Sequence, residues 1–173
     1  MSPQQSYCFS GVTLLYSFFL VFFVLHTFAS PTLHYCRHDQ RDALLEFKHE
    51  FPINQSKLDP YFASLSLWNK SSDCCYWKGV KCDAKSGKVI SLYLNYVFLN
   101  NSLKPNSGLF KLQHLQKLTI SSCYLYGEIP SSFGNLSHLT KLNLLNNRLV
   151  GQVPYSFGNL THLRHLDLSE NNL

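Results

Sequence analysis

Residues 112–123 read LQHLQKLTISSC, and the pattern returns as LSHLTKLNLLNN at 136–147 and as LTHLRHLDLSEN at 160–171. Leucine or isoleucine fills the first, fourth, seventh and ninth positions of all three segments, which begin 24 residues apart. The chain between them repeats as well, because Gly-Asn-Leu at 134–136 recurs at 158–160. A fixed period of this length indicates a repeated structural unit, and 30 leucines among 173 residues agree with it.

The leucine spacing matches the pattern L-x-x-L-x-L-x-x-N/C-x-L of the leucine-rich repeat, so the sequence predicts an α/β solenoid with one strand in each coil. Neighbouring residues of a strand face opposite ways, which turns Leu118 and Ile120 inward and Thr119 outward. Asn143 and Asp167 take the position of Thr119 in the next two strands. Each coil therefore buries its leucines only against the adjacent coils.

The Asn or Cys position after each strand predicts a side chain that pairs with backbone groups left open by the turn. Asn147 and Asn171 fill this position in the second and third coils. Cys123 fills it in the first, where we expect a buried residue and not a reactive thiol.

The array begins with an irregular coil at residue 89. Its leucines, Leu92 and Leu94, lie 26 residues before their counterparts in the next strand. We therefore assign residues 89–173 to the repeats, with about three strands and an array that is incomplete at its C-terminal end.

The first 30 residues contain no charged side chain, and 12–25 is apolar apart from three positions. That stretch is shorter than the roughly 20 residues a membrane-spanning helix needs, and the small residues Ala29 and Ser30 follow it. We predict a signal peptide at 1–30, although the usual Lys or Arg at its start is missing. Its removal takes Cys8 and places the other five cysteines in an oxidising compartment. No later stretch of the sequence is apolar and long enough to cross a membrane.

Residues 31–88 predict a cap in front of the repeats. Apolar positions at helical spacing indicate a short amphipathic helix that Asp39 begins and Pro52 ends. The apolar residues of this helix are Leu44, Leu45, Phe47 and Phe51.

Four cysteines of the cap predict disulfides, for which three pairings exist. Adjacent cysteines rarely bridge, because a disulfide needs Cα atoms about 5.5 Å apart. Among the pairings we favour Cys36 with Cys74 and Cys75 with Cys82.

Three motifs stand out: DQRDALLEFK at 39–48, C-C-x-W-x-G-V-x-C at 74–82, and L-x-G-x-I-P-x-x-F-G-N-L, which begins at 125 and again at 149. Together they resemble plant extracellular leucine-rich repeat proteins, above all the N-terminal part of receptor-like proteins of the disease-resistance type. The resemblance implies a plant-type array, and a family ectodomain with many more repeats, a C-terminal cysteine cap, a transmembrane helix and a short tail without a kinase. This chain stops inside a repeat, so we expect the front of a longer product or a truncated relative.

The resemblance implies an extracellular recognition module in ligand perception and in defence or developmental signalling, with a partner receptor kinase. Two alternatives remain: a secreted inhibitor of cell-wall-degrading polygalacturonases, suggested by the similarly capped inhibitors of those enzymes, and a non-functional truncated product. We expect secretion into the cell wall space, or the plasma membrane if the product continues to a transmembrane helix.

Outward side chains of successive strands line up in rows, and this concave strand face is the usual binding surface of a solenoid. We expect it to bind a protein, peptide or glycan. Leu145 is the one apolar group in its row and the best single contact. The candidate ligand-binding residues are Lys117, Thr119, Ser121, Lys141, Asn143, Leu145, His165, Asp167 and Ser169.

His114, His138 and His162 recur at the repeat period and predict a ladder of imidazoles. We expect no metal and no cofactor, because no carboxylate or cysteine ligand accompanies the ladder. The sequence has no G-x-S-x-G, H-E-x-x-H or phosphate loop, so we expect no enzyme. The net charge of +5 is spread along the chain, which argues against a nucleic-acid partner.

Five Asn-x-Ser/Thr sequons predict glycosylation in a secreted chain. We favour the first three over the two in the repeats, whose side chains could instead form hydrogen bonds inside a coil. The five acceptors are Asn54, Asn69, Asn100, Asn135 and Asn159.

Overall fold

A computed structural model describes residues 35–51 and 63–173. The predicted signal peptide at 1–30 and the sequon at Asn54 lie outside the described residues. His34–Leu173 forms one compact unit, so the cap and the repeats share a single body.

A five-stranded sheet runs along the repeats in the order β1-β2-β3-β5-β7. All its pairs are parallel except β1 with β2, which is antiparallel. A second, two-stranded parallel sheet joins β4 to β6. The strands are β1 Val80–Cys82, β2 Val89–Asn95, β3 Lys117–Ser121, β4 Tyr126–Glu128, β5 Lys141–Asn143, β6 Arg148–Val150 and β7 His165–Asp167.

Short 3-10 helices form the side of each coil opposite the main sheet. In the two regular coils Pro130 and Pro154 precede them, because proline fixes the backbone φ that their first turn requires. The 3-10 helices of the repeats are Gly108–Lys111, Ser131–Asn135 and Tyr155–Asn159.

The predicted solenoid is confirmed by the burial of its leucines. Leu118 and Leu142 are fully buried, and Leu92 and Leu94 of the irregular first coil are buried beside them. Leu166 occupies the same position on β7 but is 47% exposed. Among the described strands β7 pairs only with β5, so this leucine is covered from one side only.

Asn147 forms the predicted ladder between coils. Its Nδ2 donates to the carbonyls of Ile120 and Leu144 at 2.8 and 2.9 Å, and its Oδ1 accepts the N–H groups of Cys123 and Leu125, both at 3.1 Å. One amide thereby pairs with four backbone groups that the turn would otherwise leave open.

Asn171 repeats this arrangement one coil later. It donates to Leu144 and Leu168 and accepts from the N–H of Leu149 at 3.1 Å. The two asparagines thus join successive turns through the same backbone positions.

The cap is built on two helices, α1 His38–His49 and α2 Ala63–Ser66. Leu44 and Phe47 of α1 are fully buried, as the helical spacing predicts. Contrary to expectation, α1 begins before Asp39, which lies in its first turn instead of capping it.

Disulfides join Cys36 to Cys74 and Cys75 to Cys82, the pairing that we favoured. The Cα atoms of each pair are 5.4 Å apart. Beside them Trp68 stacks on Trp77, with ring centroids 5.2 Å apart.

The cap continues directly into the first coil through Gly108. A Cβ at this glycine would lie 2.7 Å from the backbone nitrogen of Phe47 and would also overlap the carbonyl oxygen of Ala43. Glu50 accepts the N–H of Gly108 at 2.9 Å, so the end of α1 caps the first 3-10 helix of the array. Burial raises the pKa of the Glu50 carboxyl, which lies in this junction.

Candidate ligand-binding face

The outward side chains of β2, β3, β5 and β7 form one surface, which we call the strand face. Parallel pairing sets neighbouring rows in register about 4.8 Å apart. The first row is Ser91, Lys117, Lys141 and His165; the second is Tyr93, Thr119, Asn143 and Asp167; the third begins with Asn95 and Ser121 and continues through Leu145 and Ser169 just beyond β5 and β7.

The nine candidate ligand-binding residues all lie on or next to this face, and most of them are exposed or half-buried. Thr119 is the exception, because only 6% of it is exposed although its strand position points outward. It is a small side chain between the larger Tyr93 and Asn143 of the neighbouring strands, and these shield it from solvent. Whether any of the nine contacts a ligand stays a prediction.

Short polar contacts fix several of these side chains. Ser121 donates from its hydroxyl to Asn95 Oδ1 at 3.0 Å, and Asn143 Oδ1 accepts the N–H of Leu145 at 3.0 Å. Asp167 accepts from both the N–H and the hydroxyl of Ser169. These hydrogen bonds hold the pKa of the Asp167 carboxyl below its usual value, so this acid stays ionised.

Tyr93 belongs to the strand face but was missed in the sequence. It is 40% exposed and lies beside Thr119 in the pairing of β2 with β3. The 26-residue offset of the irregular coil was the available signal, because it assigns Tyr93 to the row of Thr119.

A second feature missed in the sequence is an exposed row beyond the strand face. Phe98 and Tyr124 have ring centroids 5.2 Å apart, and the Arg148 guanidinium lies 5.0 Å from the centre of the Tyr124 ring. These residues occupy the same position in successive coils, one residue after the Asn or Cys of the repeat pattern. The row extends the surface that partners could contact beyond the strand face.

The histidines form the expected ladder. The rings of His114 and His138 are 5.6 Å apart, and His138 and His162 each contact a carbonyl of the preceding coil through Nδ1. A carbonyl only accepts, so Nδ1 carries the hydrogen in these contacts. Burial and the nearby charge of Lys88 lower the pKa of the His114 imidazole.

Among the described residues, only the four cap cysteines form a cluster of at least three His, Cys, Asp or Glu ligand atoms, within 4.8 Å of one another. All four are in disulfides, so none offers a thiolate to a metal. The one free cysteine that the described ranges contain is Cys123, which is fully buried and donates to the carbonyl of Leu94 at 3.0 Å. Burial raises the pKa of its thiol to about 12, which agrees with a structural role and not a reactive one.

The described sequons are all on the surface. Asn69, Asn100, Asn135 and Asn159 are exposed. Within the described part of the chain, the side chains of Asn135 and Asn159 make no hydrogen bond inside a coil. The reason for preferring the other sequons over these two is therefore wrong, while glycosylation itself stays a prediction.

Residues 35–51 and 63–173 include no helix with both the length and the apolar character needed to cross a bilayer.

The coil geometry, the asparagine ladder and the disulfide cap define a leucine-rich repeat solenoid with an N-terminal cap. The family model "Leucine rich repeat N-terminal domain" matches residues 37–83, and the model "Leucine rich repeat" matches 113–173. The chain belongs to the plant extracellular leucine-rich repeat proteins and corresponds to the N-terminal part of a receptor-like protein. Receptor-like protein 31 of Arabidopsis thaliana is 67% identical to it over 138 residues, which are 79% of this chain and 15% of that relative.

Solved structures show the same fold. The BIR3–SERK2 complex from Arabidopsis thaliana is similar with a TM-score of 0.62 and 31% identity, covering 75% of this chain and 67% of that one. The ectodomain of the membrane receptor kinase GASSHO1/SCHENGEN3 from the same plant, in complex with CASPARIAN STRIP INTEGRITY FACTOR 2, has a TM-score of 0.61 and 32% identity. That similarity covers 75% of this chain and 15% of the kinase chain.

Proposed function

We propose that this chain is the N-terminal portion of an extracellular recognition ectodomain that perceives a ligand in defence or developmental signalling. The observation that carries the proposal is the strand face, where β2, β3, β5 and β7 present polar side chains in register. Rows of this kind give a partner a continuous surface without any closed pocket.

The proposed partners are an extracellular protein, peptide or glycan and a receptor kinase. Two similar structures support this, since one is a complex of two proteins and the other is a receptor-kinase ectodomain bound to a factor. The proposed role is binding and not catalysis. The proposed location is the cell wall space, or the plasma membrane where the product continues to a transmembrane helix. None of the contacts described above favours the polygalacturonase-inhibitor alternative.

The test compares two sets of substitutions in the complete protein, expressed in plant cells. The strand-face variant carries Ser121→Ala, Asn143→Ala and Leu145→Ala. The control carries three substitutions of exposed residues outside the main sheet, listed here: Gln113→Ala, Ser131→Ala and Gln152→Ala. The readout is calcium influx on exposure to fractionated extracellular plant and microbial extracts, at matched surface levels of protein.

We expect the strand-face variant to lose the response to an active fraction, while the control keeps it. Equal responses from the two variants would contradict the proposal.

A further inference from the structure

The strand face contains a group of hydrogen-bond donors that lack acceptors. Lys117 and Lys141 are neighbours in the pairing of β3 with β5, and His165 continues their row on β7. The ion pairs found among the described residues join Arg37 to Asp39, Arg41 to Asp42 and Lys111 to Glu46, so neither strand-face lysine is in one. Two ammonium groups on adjacent strands repel each other unless an anion lies between them.

Thr119 adds a donor at the centre of this group. Its strand neighbours Leu118 and Ile120 point into the core, so its own side chain is directed towards the strand face. The Thr119 hydroxyl is buried, yet it has no hydrogen-bond partner among the described residues. Buried hydroxyls are usually paired, so this one indicates a partner that approaches from the strand face.

Asn143 provides a further donor. Its Oδ1 already accepts the N–H of Leu145, which leaves the two hydrogens of Nδ2 for an external acceptor. The acid of the same row, Asp167, is occupied by Ser169. The groups around Thr119 are therefore donors, without an internal acceptor to satisfy them.

We propose that this patch, formed by Lys117, Thr119, Lys141 and Asn143, binds a carboxylate of an acidic peptide. The inference rests on the proposed recognition function and specifies the ligand chemistry of the same face. A carboxylate accepts several hydrogen bonds and neutralises the paired lysines. The half-buried Leu145 and the exposed Tyr93 favour a peptide over an acidic glycan, because they offer contacts for an aliphatic side chain.

The experiment uses the complete secreted protein and three defined probes: a capped hexapeptide of alternating leucine and glutamate, its glutamine counterpart, and trigalacturonate. Affinity is measured by calorimetry at low and at physiological salt. We expect the glutamate peptide to bind at least tenfold more tightly than the glutamine peptide. Tighter binding of trigalacturonate than of the glutamate peptide would overturn the peptide assignment.

The variants locate the site. We expect Lys117→Gln or Lys141→Gln to raise the Kd of the glutamate peptide about tenfold, because each removes one charge-assisted hydrogen bond. Lys85→Gln is the matched control, an exposed lysine in the turn between β1 and β2, and should leave the Kd unchanged. Equal effects of all three substitutions would overturn the proposal, because they would indicate attraction by net charge alone.

Thr119→Val separates a ligand contact from a structural one. We expect it to raise the Kd of the glutamate peptide several-fold while the melting temperature stays the same or rises, since an unpaired buried hydroxyl is removed. A lower melting temperature with unchanged affinity would overturn the role of Thr119. If the lysine variants bind the peptide normally while the strand-face variant still loses the cellular response, the ligand chemistry is wrong and the recognition function stands.

Discussion

Asn147→Ala tests the ladder that joins the coils. The substitution removes the acceptor of the Cys123 and Leu125 N–H groups, both of which belong to fully buried residues. A buried polar group that loses its partner costs about 1–3 kcal/mol, so two such groups give a loss of about 3–5 kcal/mol in the free energy of unfolding. That loss is a large part of the total for an ordinary domain, which is about 5–15 kcal/mol.

The assay is urea denaturation of the secreted protein, followed by far-ultraviolet circular dichroism for the sheets and by fluorescence of Trp68 and Trp77 for the cap. Asn146→Gly is the control, because Asn146 is exposed and its backbone φ of 51° suits glycine. It should shift the midpoint little. Asn171→Ala should fall between the two, since its Oδ1 accepts one N–H group instead of two. Equal midpoints for Asn147→Ala and Asn146→Gly would refute the ladder argument.

Three further predictions concern the cysteines and a histidine. Replacing Cys36 and Cys74 by alanine should lower the free energy of unfolding by about 4 kcal/mol, against about 2.5 kcal/mol for the disulfide of shorter loop, because the sequence separations are 38 and 7; the same urea assay checks this, and the reverse order would contradict it. His114 has a lowered pKa in the folded state, so the unfolded chain binds its proton first and stability falls as the pH drops below about 6.5. His114→Gln should flatten that part of a melting-temperature profile, and an unchanged slope would argue against the assignment. Iodoacetamide at pH 8 should modify Cys123 only in denaturant, as mass spectrometry can show; rapid labelling of the native protein would be inconsistent with its burial.

The sequence predicts the repeats well because their rules are local and recur. The spacing of the leucines fixes which residues point inward, and the structure buries Leu118 and Leu142 accordingly. The role of Asn147 follows in the same way, because one amide side chain after each strand can reach both adjacent turns.

The remaining differences depend on neighbours that a repeat pattern does not specify. Thr119 was expected on the surface and is buried because large side chains lie on both sides of it. Leu166 was expected in the core and is half exposed because the described strands cover it on one side only. Tyr93 was missed because the two-residue insertion takes its coil out of the 24-residue alignment.

The antiparallel strand β1 gives the array a polarity. It occupies the free edge of β2 with a chain that runs in the opposite direction, so a further parallel coil cannot add at that side. Tandem duplication of a 24-residue unit can therefore lengthen the recognition surface only away from the disulfides, leaving the foundation of the molecule unchanged while its reach evolves.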